Sequence, residues 1–159
     1  FQPDLKKSPR LQVLDTGLVN FFAGIQKDVF STSDLLDVYN GKIIEHIVCQ
    51  ELMASNKDII NKPLFWVRDK EGASAELDFL VRFEDKAIPV EVKSGKTGKL
   101  RSLHQYIEMS ETPLAIRLYA GLFHISKVTT PQGKEFKLLN LPYYLAGRIK
   151  QYMCGVVSG

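Results

Sequence analysis

The sequence predicts an α/β (α+β) fold, a central mixed β-sheet flanked by helices, on three observations. Short alternating or apolar runs that read as strands lie on both sides of a helical run, a long stripe of helical period precedes them, and no repeat or low-complexity segment interrupts the chain. Its 159 residues, 45% of them hydrophobic, supply one core of ordinary size and not two. The 21 cationic and 18 anionic side chains leave a net charge of +3, too mild to demand an anionic partner. No apolar run approaches the ~20 residues of a membrane span, so no membrane partner is expected. Cys49 and Cys154 form no CxxC pair, which argues against a disulfide framework or structural zinc and sets a reducing, cytoplasmic location as the expectation.

Residues 1–10, with Pro3, Lys6, Lys7 and Pro9, read as a tether from a removed upstream region, because Phe1 follows no targeting pattern and looks like a cut inside a longer chain. Leu11-Gln12-Val13-Leu14 reads as a short strand and Asp15-Thr16-Gly17 as a turn. Leu18, Val19, Phe21, Phe22 and Ile25 recur at threes and fours, predicting a helix packed on the core. Ser31 to Asp34 offer N-caps for a further short helix. After Asn40-Gly41 comes the strongest helical stripe, Ile43, Ile44, Ile47, Val48 and Leu52. At about 100° per residue, Glu45 lies on the flank of that stripe and Glu51 near its centre, where a carboxylate needs a partner.

Strands are expected at 64–68, 75–83 and 87–93, the last two joined by a tight turn at Glu84-Asp85-Lys86. A helix at 100–109 and a strand at 114–119 follow, then a mixed apolar stretch at 138–149 interrupted by Pro142, and a tail at 150–159.

Alternation puts Leu77, Phe79 and Val81 on one face of their strand and Glu76, Asp78, Leu80 and Arg82 on the other. In the next strand Ile88, Val90 and Val92 oppose Pro89, Glu91 and Lys93. Pairing through the turn brings Asp78, Glu91 and Lys93 into one space. Paired carboxylates suit Mg²⁺ or Mn²⁺, hard cations that take oxygen ligands, and an adjacent lysine can orient a nucleophile or neutralise developing charge. Glu45, on a helix packed against the sheet, is placed to add a third carboxylate. The competing reading is a solvated strand face with Glu–Lys pairing.

Gly41-Lys42-Ile43-Ile44-Glu45, Glu76-Leu77-Asp78-Phe79-Leu80-Val81 and Pro89-Val90-Glu91-Val92-Lys93-Ser94 resemble the successive motifs of the PD-(D/E)xK nuclease superfamily. Leu14-Asp15-Thr16-Gly17-Leu18, Glu51-Leu52, Phe65-Trp66-Val67-Arg68-Asp69 and Leu141-Pro142-Tyr143-Tyr144-Leu145-Ala146-Gly147 narrow this. They are similar to the C-terminal domain, of unknown function, in a prokaryotic group of predicted AAA+ ATPases. The resemblance implies a restriction-endonuclease-like domain at 11–149. It implies Asp78 and Glu91 as metal ligands, Lys93 as the catalytic lysine and Glu45 as a carboxylate supporting Mg²⁺ or Mn²⁺. It also implies an ATPase domain upstream as partner and nucleic acid, DNA rather than RNA, as substrate. Leu77 stands where the superfamily name has Pro. Glu51 matches the narrower group but reads as a buried, paired acid, and Glu76 reads as exposed.

Lys96, Lys99 and Arg101 follow Lys93 with no acid among them and can grip a phosphate backbone; Gln105, on the next helix, can assist. The bland reading of such a run is a solvated turn. Gly95-Lys96-Thr97 resembles the end of a P-loop, but Val90 stands where its first glycine belongs, so no ATP site is expected here. His46, His104 and His124 are too scattered for a metal site, and Trp66 and Tyr106 read as core. Three functions stand: a Mg²⁺-dependent phosphodiesterase, a non-catalytic module binding DNA or the ATPase domain, and an interaction domain whose acids form a structural ion-pair network.

Overall fold

The computed structural model describes residues 4, 8–13, 15–24, 41–55, 62–70 and 73–157. Asp15 opens the first helix, α1 (Thr16–Phe22), by accepting the Leu18 N–H at 2.9 Å, so the expected turn is in fact a helix cap. The apolar stripe after Asn40 forms α2 (Gly41–Ala54). An antiparallel meander follows, β1 (Leu64–Lys70), β2 (Ala73–Phe83) and β3 (Lys86–Val92). Glu84, in the turn between β2 and β3, takes φ of 54°. Helix α3 (Arg101–Met109) carries the chain over to β4 (Leu114–Tyr119), parallel to β3. Strand β5 (His124–Thr129) then pairs antiparallel with β6 (Glu135–Pro142), which lies parallel to β4. Pro142 ends β6, and a 3₁₀ segment (Tyr143–Arg148) leads into α4 (Ile149–Val157).

The result is the expected α+β architecture, a six-stranded mixed sheet in the order β1-β2-β3-β4-β6-β5 with helices on it. Among the described residues no helix is long and apolar enough to cross a membrane. Each sheet face buries its own cluster. On one, Phe79, Val90, Ile116 and Leu139 meet Ile44 and Val48 of α2 and Met153 of α4; on the other, Leu80, Ala115 and Leu138 meet Leu103 and Ile107 of α3.

Strict alternation fails in β2. Leu64 pairs with Leu80 and Trp66 with Leu77, so three steps of β2 match two of β1. This β-bulge around Asp78 and Phe79 shifts the side-chain phase by one residue. Leu77 therefore packs with Leu80 in the α3 cluster, not with Phe79 and Val81 as the alternation predicted.

Other expectations are corrected. Residues 11–13 form no strand; Leu11 is exposed, and Gln12 Oε1 lies 3.0 Å from His46 Nδ1. The apolar residues of α1 do not enter the core, since Leu18, Phe21 and Phe22 are exposed and Asn20 is its buried residue. The helix expected after residues 31–34 lies outside the described residues. Strand β5 was not foreseen: it is an edge strand whose exposed residues carry no core pattern. Of the stretch read as a tail, residues 150–157 belong to α4, which buries Ile149, Met153 and Val156; the last two residues lie outside the described ones.

Candidate functional site

Strands β2 and β3 pair regularly from Phe83 and Lys86 back to Phe79 and Val90, and there the ladder stops. One residue further, Asp78 stands opposite Glu91. The bulge has taken Asp78 out of regular pairing, and its Oδ2, rather than a backbone carbonyl, accepts the Val92 N–H at 2.7 Å. A polar side chain thus replaces a ladder bond where the strands part.

Glu91 is 7% exposed. Its Oε1 accepts from Lys93 Nζ at 2.5 Å, while Oε2 is buried with no hydrogen-bond partner. A buried unpaired carboxylate oxygen costs on the order of 1–3 kcal/mol, so it marks a place where another group belongs. Burial and then the Asp78 carboxylate push the Glu91 carboxyl up to about 7; the Lys93 ammonium opposes them, and Glu45 adds to the upward push. Burial also raises Asp78, against the Val92 N–H, Lys93 and Arg10. Asp78, Glu91, Lys93 and half-buried Glu45 therefore share one electrostatic neighbourhood.

The stem of Lys93 lies against Gly98, where a Cβ would stand 2.7 Å from Lys93 Cδ. Arg10, which the sequence placed in a tether, reaches the site too. It donates to the Asp78 carbonyl at 3.2 Å, pairs with Glu76 and stacks 4.4 Å over the Phe65 ring. Nothing in the sequence marks Arg10 or Gly98, because their roles depend on segments that meet only in the fold. Glu76 is exposed, as expected. Glu51 is exposed too, against the expectation of a buried acid: it lies near the end of α2, and Gly147, lacking a side chain, leaves room for its carboxylate.

Lys99, Arg101 and Gln105 line one groove of about 620 Å³, together with His104, Glu108 and Gln132. Lys96 is exposed outside that lining. Glu108 Oε1 accepts the Gln132 N–H at 3.2 Å. Tyr106 packs edge-on to Trp66 and donates to the Ala87 carbonyl at 3.2 Å, a structural role. Among the described residues no group of three or more His, Cys, Asp and Glu side chains is gathered closely enough to hold a metal ion. Asp78 and Glu91 are instead a two-carboxylate arrangement, the kind with which Mg²⁺ keeps waters and takes substrate oxygens.

The family model described as a domain of unknown function (DUF4143) matches residues 40–144. No curated protein and no solved structure matches the chain.

Proposed function

The chain belongs to the family described as a domain of unknown function (DUF4143), and we propose that it is a metal-dependent phosphodiesterase of nuclease type acting on nucleic acid. The observation that carries this reading is the buried Glu91 Oε2, unpartnered beside Asp78 while Lys93 occupies the other Glu91 oxygen. A cation there satisfies the orphaned oxygen and offsets the repulsion between two carboxylates.

In this proposal Asp78 and Glu91 hold Mg²⁺ or Mn²⁺ and Glu45 supports them from α2. The ion supplies Lewis acidity toward a phosphoryl oxygen and a lowered pKa for water. Lys93, fixed by Glu91 and by contact with Gly98, presents an ammonium to the nucleophile or to developing negative charge. The groove of Lys99, Arg101 and Gln105 starts one residue beyond Gly98 and takes the backbone phosphates. An ATPase domain as partner belongs to the same proposal.

Calorimetric titration of Mn²⁺ should show binding in the wild type and its loss in Asp78→Ala. Supercoiled and branched DNA should be cut by the wild type alone; DNA left intact under both Mg²⁺ and Mn²⁺ would count decisively against catalysis. A second reading, a non-catalytic module binding DNA or the ATPase domain, is favoured by the lack of a ready three-residue metal cage among the described residues. It requires salt-dependent DNA binding that Glu91→Ala leaves unchanged.

A further inference from the structure

Strand β4 lies beside β3 in parallel register, Glu91 opposite Arg117. The pairing continues past the end of β3, where the Lys93 N–H donates to the Leu118 carbonyl at 2.8 Å, which sets Lys93 beside Tyr119. Registered neighbours in a sheet project to the same side, and so do residues two apart. Glu91, Lys93, Arg117 and Tyr119 are thus the corners of one patch, at the carboxyl ends of parallel strands where open sheets take ligands.

Within that patch the charges do not balance. Lys93 has Glu91. Arg117 is half-buried, and among the described residues its guanidinium has no carboxylate or hydrogen-bond partner; its Nε is buried and unpaired. What holds it is the Tyr119 ring, 4.3 Å from the guanidinium carbon. That ring is itself fixed: its hydroxyl donates to the Leu122 carbonyl at 2.6 Å, and Gly121 lies so close that a side chain there would collide with it. A half-buried cation without an anion is a net cost, which a stacking contact only partly offsets. A planar guanidinium held flat on a ring keeps its donor edge ready for a tetrahedral oxyanion.

We propose that Arg117 is the phosphate-binding residue of the acidic site, receiving a phosphate oxygen of the bound substrate beside Lys93. This rests on the phosphodiesterase reading for its substrate, though not for the anion itself. Two probes separate the two ideas: a short fluorescein-labelled DNA duplex with Ca²⁺ present, and inorganic phosphate alone. Arg117→Gln should weaken duplex binding roughly tenfold, the scale of one charge-assisted hydrogen bond, and reduce the salt slope by about one. Its Mn²⁺ affinity should not fall, because a guanidinium supplies no ligand oxygen to a cation. Arg117→Lys should recover the slope but not the full affinity, because it restores charge without the fork. Phosphate should shift the Arg117 Nε–Hε resonance of the wild type, a measurement that needs no variant to fold.

Duplex binding equal in wild type and Arg117→Gln, with no resonance shift, overturns the proposal and leaves the phosphodiesterase reading standing. Arg117-dependent phosphate binding without duplex binding supports the proposal and sinks that reading. Failure to bind either probe overturns both.

Discussion

Glu91 carries a cost that its surroundings do not remove. Its carboxyl is pushed from 4.5 to about 7, so the folded chain holds this proton more tightly than the unfolded chain does. The stabilisation from the protonated form is complete below about 4.5 and is lost as pH rises through about 7. At ~1.4 kcal/mol per unit, the loss attributable to Glu91 is at most about 3.5 kcal/mol. Asp78, also raised by burial, adds a loss of the same sign. Glu91→Gln keeps the shape and removes the ionisation, so above neutral pH the variant should be more stable than the metal-free wild type. Urea unfolding of both proteins across this range checks it; parallel stability profiles would mean that Glu91 titrates normally. A residue that destabilises the empty fold near neutrality is the kind that binding a cation would account for.

At the scale of elements, the bulge in β2 and the segment ending in Arg10 build the site together. The bulge frees Asp78 from the ladder, and Arg10 fastens the Asp78 carbonyl to Phe65 and Glu76. Glu76 is exposed, so its ion pair contributes little; the carbonyl bond and the stacking contribute more. Arg10→Ala should cost about 1–2 kcal/mol in chemical denaturation. Arg10→Lys, which keeps charge without the planar group, should recover only part of it. A loss under about 0.5 kcal/mol for the alanine variant would show that the segment is not anchored there. The meander, α2 and the E-x-K strand were legible because apolar periodicity is local. The bulge was not, since Leu77, Phe79 and Val81 alternate in sequence whether or not an extra residue is inserted between them. Arg10, Gly98 and Arg117 escaped for a related reason: each gains its role from a neighbour distant in sequence or on another strand, which no local pattern records. Strand β5 escaped because an edge strand needs few apolar residues.

Across the whole molecule, the net charge of +3 averages unlike regions. Carboxylates gather where β2 and β3 part, and cations line the groove that begins just past Gly98. If total charge governed attraction to a polyanion, any two exposed cations would serve equally. Lys127 on β5 and Lys150 on α4 are exposed and lie outside the groove lining, so they form a matched control for Lys99 and Arg101. Each pair of glutamine substitutions removes two positive charges. Counterion release predicts that losing two phosphate contacts lowers the slope of log K against log salt by about 1.8, and that losing two remote charges barely changes it. Lys99→Gln with Arg101→Gln should therefore flatten the salt dependence of duplex binding, and Lys127→Gln with Lys150→Gln should leave it near the wild-type value. Equal effects from both pairs would assign the attraction to the overall field of the protein and remove the groove from the binding path.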